Sequence, residues 1–184
     1  NEVHMLLEKN AEIIDAPLVW SKSCVAQCGV TNGYDQPGQL GADRWAALIG
    51  ARQMHSGACL VVNAGTATTV DVLDASGFFR GGIILPGIDL MRISLAQHTA
   101  RLPLADGEFH ALPRNTQDAI DSGCRLATAG AIERMFAQIA GEVDAVCLLS
   151  GGAAERIATL LDIPLRRIDN LVLEGLARIG SSTN

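Results

Sequence analysis

Ala58-Cys-Leu-Val-Val-Asn63-Ala-Gly65-Thr-Ala-Thr68-Thr-Val-Asp71-Val-Leu73-Asp74-Ala-Ser-Gly77-Phe78-Phe-Arg80 is the stretch on which the fold turns. Ala58 to Asn63 is a short apolar run of buried-strand type. Thr68 to Leu73 alternates with β-branched residues, and Asp74-Ala-Ser-Gly77 is a hairpin turn leading into Phe78-Phe79-Arg80. The pattern predicts three antiparallel strands.

Working outward, Gly81-Gly82 and Pro86-Gly87 break the next apolar stretch, after which Ile88, Leu90, Met91 and Leu95 mark a helix ending near Thr99. A loop from Pro103 to Arg114 precedes Asn115 or Thr116, either of which suits the cap of a long helix. Its expected inner face runs through Ile120, Cys124, Ala127, Ala131, Met135 and Ile139. Ala145 to Leu149 then reads as a strand, Ala153 to Leu161 as a helix, Leu165 to Ile168 as a strand and Leu171 to Ile179 as a final helix. Upstream, a helix is expected over Glu2 to Lys9, a strand near Leu18 to Trp20, a loop through Thr31 to Leu40 and a helix from Ala42 to about Met54.

The order from Ala58 onward, three strands, helices, strand, helix, strand, helix, resembles one ribonuclease H-like half of the actin and sugar-kinase superfamily. That resemblance implies an α/β fold with a mixed five-stranded sheet and helices on both faces. Residues 1–57 then read as the C-terminal remainder of a first half, incomplete at its N-terminal side because its three opening strands are missing, and residues 58–184 as the second half.

Composition narrows the function. In 184 residues, 48% hydrophobic content can build a core, and only 4% aromatics with abundant small aliphatics suits layered α/β packing. A net charge of -6 without a basic run argues against nucleic acid, whose binding depends on neutralising phosphates. No apolar run approaches the roughly 20 residues of a membrane span, and no basic-then-apolar leader is present, so a cytoplasmic protein with a small-molecule partner is expected. The five cysteines lack C-x-x-C pairing and read as small buried hydrophobes; the four histidines lack metal-ligand spacing. Lys9 and Lys22 are the only lysines, so no P-loop lysine serves the glycine-rich segments.

Three segments suit phosphoryl chemistry. Asn63 to Asp71 is a glycine- and hydroxyl-rich turn between strands, where Gly65 permits close approach and Thr66 offers a hydroxyl. Read plainly it is a tight hairpin with threonines suited to a strand. Asp71 suits a hydrated Mg²⁺, or the satisfaction of nearby backbone. Asp43 and Arg44 open a helix after Tyr34-Asp-Gln-Pro-Gly-Gln-Leu-Gly41-Ala42. Taken alone, Asp43 there complements the helix dipole with Arg44 in solvent; functionally, the pair offers a general base beside a bidentate carboxylate grip. Ser150-Gly151-Gly152, between strand and helix, lets a ring or phosphate approach the backbone, as would any strand-to-helix turn.

Together, Tyr34-x-x-Pro37-x-x-Leu40-Gly41-Ala42-Asp43-Arg44, Gly65-Thr66-Ala67-x-Thr69-x-Asp71, Gly81-Gly82-Ile83-Ile84-x-Pro86-Gly87, Asn115-Thr116-x-x-Ala119-Ile120-x-Ser122-Gly123 and Ser150-Gly151-Gly152 closely resemble the type III pantothenate kinases, including the Bvg accessory factor-like proteins. The resemblance runs from about Tyr34 to the C-terminus. It implies ATP-dependent phosphorylation of pantothenate to 4'-phosphopantothenate, the first step of coenzyme A biosynthesis, with Mg²⁺ and in a homodimer. Asp43 matches the proton acceptor for the pantothenate hydroxyl, and Tyr34, Gly41, Ala42 and Arg44 the substrate-binding segment. Thr116 matches a substrate-binding threonine acting across the dimer interface. Gly65, Thr66, Gly151 and Gly152 match the ATP-binding positions.

Two departures from the family pattern matter. Asn63 occupies the usual aspartate of a monovalent-cation site, which puts K⁺ or ammonium activation in doubt. The D-x-G-N-T phosphate loop that opens the family has no counterpart in these 184 residues, so by themselves they are expected to be inactive. The competing expectations are a regulatory protein of the accessory-factor kind, which keeps the fold but works by binding a partner, and a superfamily kinase with another acceptor.

Overall fold

The structure, a computed structural model, describes residues 20–99, 102, 104 and 106–182. The helix expected over Glu2 to Lys9 and the strand expected near Leu18 to Trp20 fall outside these residues or at their edge. Seven strands form one mixed sheet: β1 (Ala26–Gln27), β2 (Val30–Asn32), β3 (Cys59–Ala64), β4 (Ala67–Leu73), β5 (Phe78–Pro86), β6 (Val146–Ser150) and β7 (Leu165–Arg167), in the order β1-β2-β5-β4-β3-β6-β7. The strands β3, β4 and β5 are antiparallel neighbours as expected, while β6 and β7 run parallel to β3.

The count corrects the expected five. The additional strands are a hairpin turning on Cys28 and Gly29, both with positive φ (49° and 80°), as a two-residue hairpin loop requires. Its second strand lies parallel to the start of β5, at Phe78 and Phe79. Gly81-Gly82 does not interrupt β5, which runs on to Pro86. A bulge at Arg80 shifts the register opposite Val72 and Leu73 instead.

Helices α1 (Ala42–Met54) and α5 (Leu171–Ser182) cover one face of the sheet; α2 (Ile88–His98), α3 (Thr116–Phe136) and α4 (Ala154–Ala158) belong to the other. Strand alternation divides the core accordingly. Cys59, Val61, Leu73 and Leu148 pack with Trp45, Leu48, Leu171 and Ile179, whereas Leu60, Val62, Val70 and Leu149 pack with Ile88, Ile132, Phe136 and Ile157. Burial pushes the thiols of Cys59 and Cys147 up to about 12, in keeping with inert core residues.

Helix α1 is buried continuously from Arg44 to Ala51 because it lies between the sheet and α5. The two helices meet closely: a Cβ on Gly175 would stand 1.8 Å from the Ala46 carbonyl oxygen. In α3, Asn115 is the N-cap, its side chain accepting from the Asp118 amide at 2.9 Å. Its buried positions are Asp121, Ser122, Cys124, Thr128, Ala129, Ile132 and Phe136; of the expected stripe, Cys124 and Ile139 are buried and Ile120 and Met135 pack against the same core, whereas Ala127 is exposed. The helix buries polar anchors as well as apolar groups, and Ile120 and Ala127 also line an apolar groove. Among the described residues, no helix is long and apolar enough to cross a membrane.

Candidate functional site

Chain direction gathers the singled-out residues. After α1 the chain reverses through His55–Ala58 into β3, so the start of α1 lies at the same end of the sheet as the close of β3. Both elements are about 20 Å long. Strands β6 and β7 are parallel to β3, so Ser150-Gly151-Gly152 and Asp169-Asn170 reach that end too. Ligands of open α/β sheets commonly bind outside such carboxyl ends.

On the α1 face, Arg44 is 5% exposed and Asp71 1%. The Arg44 Nε donates to Asp71 Oδ2 at 3.1 Å, Nη2 donates to Oδ1, and Nη1 donates to the Tyr34 hydroxyl at 2.9 Å. The guanidinium also lies 5.7 and 5.8 Å from the ring centroids of Tyr34 and Phe79. Burial acts to lower the Arg44 pKa, but the hydrogen bond and charge of Asp71 prevail and raise it. Burial pushes the Asp71 carboxyl up from the ordinary carboxylate range, Arg44 pulls against it, and nearby Asp43 adds to it. Arg44 is therefore not in solvent, and the carboxylate in its fork is the chain's own.

Gly82 is part of this arrangement. It lies opposite Asp71 in the β4–β5 ladder, and a Cβ there would stand 2.0 Å from Asp71 Oδ1. The glycine that reads as a strand break makes room for the buried ion pair. Asp43, one residue before Arg44, is exposed, and its carboxylate folds back over Gly41, where a Cβ would meet Asp43 Oδ1 at 2.6 Å.

Alternation places Asn63, Thr69, Asp71 and Ser150 on this same face. Asn63 pairs with Thr69 on one side and Ser150 on the other, so the three form a polar row across β4, β3 and β6. Ser150 Oγ donates to the Asp169 carbonyl at 3.3 Å and accepts from the Leu171 amide at 3.4 Å, tying the row to the start of α5. Gly151 has φ +101°, and its backbone crowds Ala64, which only glycine accommodates.

Gly65, Thr66, Gly152 and Ala153 line a cavity of about 510 Å³ together with Asp89, Leu90, Ile93 and Arg156. The turn is braced by the Gly87 amide, which donates to the Thr66 carbonyl at 2.8 Å. Thr116 is elsewhere, in an apolar groove of about 820 Å³ bounded by α2 and α3 and lined by Leu90, Met91, Leu95 and Ile120 among others. The structure thus brings Tyr34, Gly41, Ala42, Asp43 and Arg44 together on one face and puts Gly65, Thr66 and Gly152 around one cavity. Thr116 opens α3, which packs on the opposite face of the sheet from α1, and its groove shares Leu90 with that cavity.

Sequence reading missed Arg156. Its Nη1 donates to Asp89 Oδ1 at 2.9 Å and its Nη2 to Asp121 Oδ1 at 3.0 Å, and Asp121 is 1% exposed. No motif marks this arginine; the signal available was a cation four residues beyond Gly152 in a chain with no lysine there. Among the described residues, no group of three or more His, Cys, Asp or Glu is arranged to hold a metal ion, and both Asp71 oxygens are taken by Arg44. The donors present, a glycine turn, a threonine hydroxyl and an arginine, suit nucleotide phosphates that carry their own hydrated cation.

A family model described as type III pantothenate kinase matches residues 1–138. A type III pantothenate kinase of Aromatoleum aromaticum is 67% identical over 158 residues, covering 86% of this chain and 65% of that protein. One of Azoarcus sp. is 61% identical over 163 residues, covering 89% and 62%. The chain therefore spans just under two thirds of the length of these relatives. Among solved structures, a Campylobacter jejuni protein described as a conserved Baf family transcriptional activator aligns with TM-score 0.59 and 26% identity, over 79% of this chain and 65% of its own.

Proposed function

Because this chain belongs to the type III pantothenate kinase family, we propose that the protein transfers the γ-phosphoryl group of ATP to the primary hydroxyl of pantothenate, within a ribonuclease H-like fold of the actin and sugar-kinase kind. The observation that supports this reading is that the exposed Asp43 carboxylate at the start of α1, the Gly65-Thr66 turn and Ser150-Gly151-Gly152 belong to the same end of the sheet, where Gly65, Thr66 and Gly152 line one cavity. In this reading residues 1–57 hold the acceptor segment and residues 58–184 the phosphate and adenosine segments.

Phosphoryl transfer needs positioning and charge neutralisation more than covalent help. Asp43 accepts the proton of the attacking hydroxyl late in transfer. Arg44 acts by holding rather than by gripping substrate. Its Nη1 gives the Tyr34 oxygen a hydrogen bond, which leaves the Tyr34 proton to donate to the acceptor molecule. The Gly65-Thr66 turn receives phosphate oxygens, and Gly152 lets the nucleoside lie against the chain. A divalent ion entering with the nucleotide would offset charge on the phosphates. Asn63 offers a monovalent cation an amide oxygen without a negative charge.

Thr116 supports assembly as a dimer. It opens α3, on the other face of the sheet from the α1 helix that Asp43 opens, which supports a role in the acceptor site of a second copy. The regulatory reading is set aside: the relatives at 67% and 61% identity are kinases, whereas the likeness to the Campylobacter protein is 26%.

The test is Asp43→Asn in the protein at its full natural length. Pantothenate-dependent ADP release should fall by about 10² to 10⁴ in kcat, with pantothenate binding and thermal stability little changed. A kcat within a few-fold of the parent would remove Asp43 from the chemistry.

A further inference from the structure

The cavity beside the Gly65-Thr66 turn has one cationic side chain among its described lining residues, and it is Arg156. We infer that Arg156 recognises the phosphates of the bound nucleotide in the place that a P-loop lysine fills elsewhere, and that Asp89 is the internal carboxylate which occupies it beforehand. The inference rests on the nucleotide reading above and assigns a residue that reading leaves out.

Arg156 lies in α4, four residues beyond Gly152, and helical side chains lean toward the helix N-terminus, here toward the glycine turn. Its guanidinium is partly exposed at 29%, so it meets both the protein and the cavity. The contact to Asp121 is a fixed one: that carboxylate is buried within α3 and is held again by Arg125, whose Nε is 2.6 Å from Oδ2. The contact to Asp89 is of another kind, since Asp89 is 66% exposed and itself lines the cavity.

The two hydrogen bonds use two of the five N–H donors of the guanidinium. An arginine anchored at one nitrogen by a buried acid and lining a cavity is prepared for a planar array of anionic oxygens. The exposed Asp89 oxygen is such an anion supplied by the chain itself. Phosphate oxygens entering beside Gly65 and Thr66 would share or displace it, while the Asp121 contact keeps the guanidinium in place. Asp89 thereby also lowers affinity, because it adds negative charge to a site meant for polyanions.

The experiment is calorimetric titration of the full-length protein with ADP and with adenosine, in chelator so that no divalent ion bridges protein and phosphate. Arg156→Gln should weaken ADP binding roughly ten-fold, the scale of one charge-assisted hydrogen-bond set, and leave adenosine within about two-fold. Arg156→Lys should restore part of the loss. Asp89→Asn, which keeps the side chain's shape but removes the charge facing both Arg156 and Arg92, should tighten ADP a few-fold without changing adenosine. It decides the matter even if Arg156→Gln is too unstable to titrate.

An unchanged ratio of ADP to adenosine affinity in Arg156→Gln would overturn the assignment. So would an equal loss for both ligands, which would put the guanidinium on the nucleoside, or a weakening of ADP by Asp89→Asn. A parent protein that bound neither ligand would defeat the nucleotide reading and this inference with it, whereas normal parent binding beside an unaffected Arg156→Gln would defeat this inference alone.

Discussion

At the scale of the residue, the Arg44–Asp71 pair shows how a buried charge constrains its surroundings. Both partners are at most 5% exposed, so neither can be removed alone without leaving an uncompensated charge in the core. Asp71→Asn should therefore cost about 3–5 kcal/mol in urea unfolding, far beyond a typical surface change. Combined with Arg44→Met, which removes the other charge, much of that loss should return. The double-mutant cycle checks this, and simple additivity would mean the pair is not coupled. Gly82 belongs to the same unit, because no side chain fits where the Asp71 carboxylate lies. In sequence, Asp71 reads as a metal or backbone ligand, since nothing local reveals a guanidinium 27 positions away.

At the scale of the element, α1 carries at its start the segment proposed to bind the acceptor, and it packs closely on α5. The contact is backbone on backbone: Gly175 faces the Ala46 carbonyl, and Gly50 faces that of Leu171, where a Cβ would stand 2.4 Å away. Overpacking here forces the helices apart rather than rotating one side chain. Gly175→Ala should destabilise the fold by about 1–3 kcal/mol and, by shifting α1, raise the KM for pantothenate more than that for ATP. Thermal melts with steady-state kinetics test both halves; equal rises in the two KM values would detach α1 placement from acceptor binding. Helix α1 was legible in sequence to both its ends, because Gly41 precedes it and its apolar run is long. The hairpin at Cys28-Gly29 was not, since its strands hold two and three residues, too few for a periodic signal.

At the scale of the whole molecule, Asp43 and Thr116 open helices on opposite faces of the sheet, and activity is expected to belong to an assembly. Full-length Asp43→Asn and Thr116→Ala proteins should each be impaired. When mixed, dissociated and reassociated, they should regain part of the parent activity, because some pairs contain one site with both residues intact. Verified subunit exchange without any regain would place both residues on one subunit's site. The groove beside Thr116, walled by Leu90, Met91, Leu95 and Ile120, is the apolar surface such a contact would cover.

What the sequence determined by itself is whatever depends on neighbours along the chain. An apolar run located β3, alternation located β4, turn chemistry located the connection from β4 to β5, capping located α3, and five ordered motifs carried the family. Tertiary structure alone decided which charges meet. The pairing of Arg44 with Asp71, the use of Gly82 as space for that pair, the approach of Arg156 to Gly65 and Thr66, and the placing of the helices that Asp43 and Thr116 open on opposite faces of the sheet all follow from strand register and helix placement. Electrostatic attraction acts through space between residues 27 or more positions apart, and composition and periodicity carry no record of that distance.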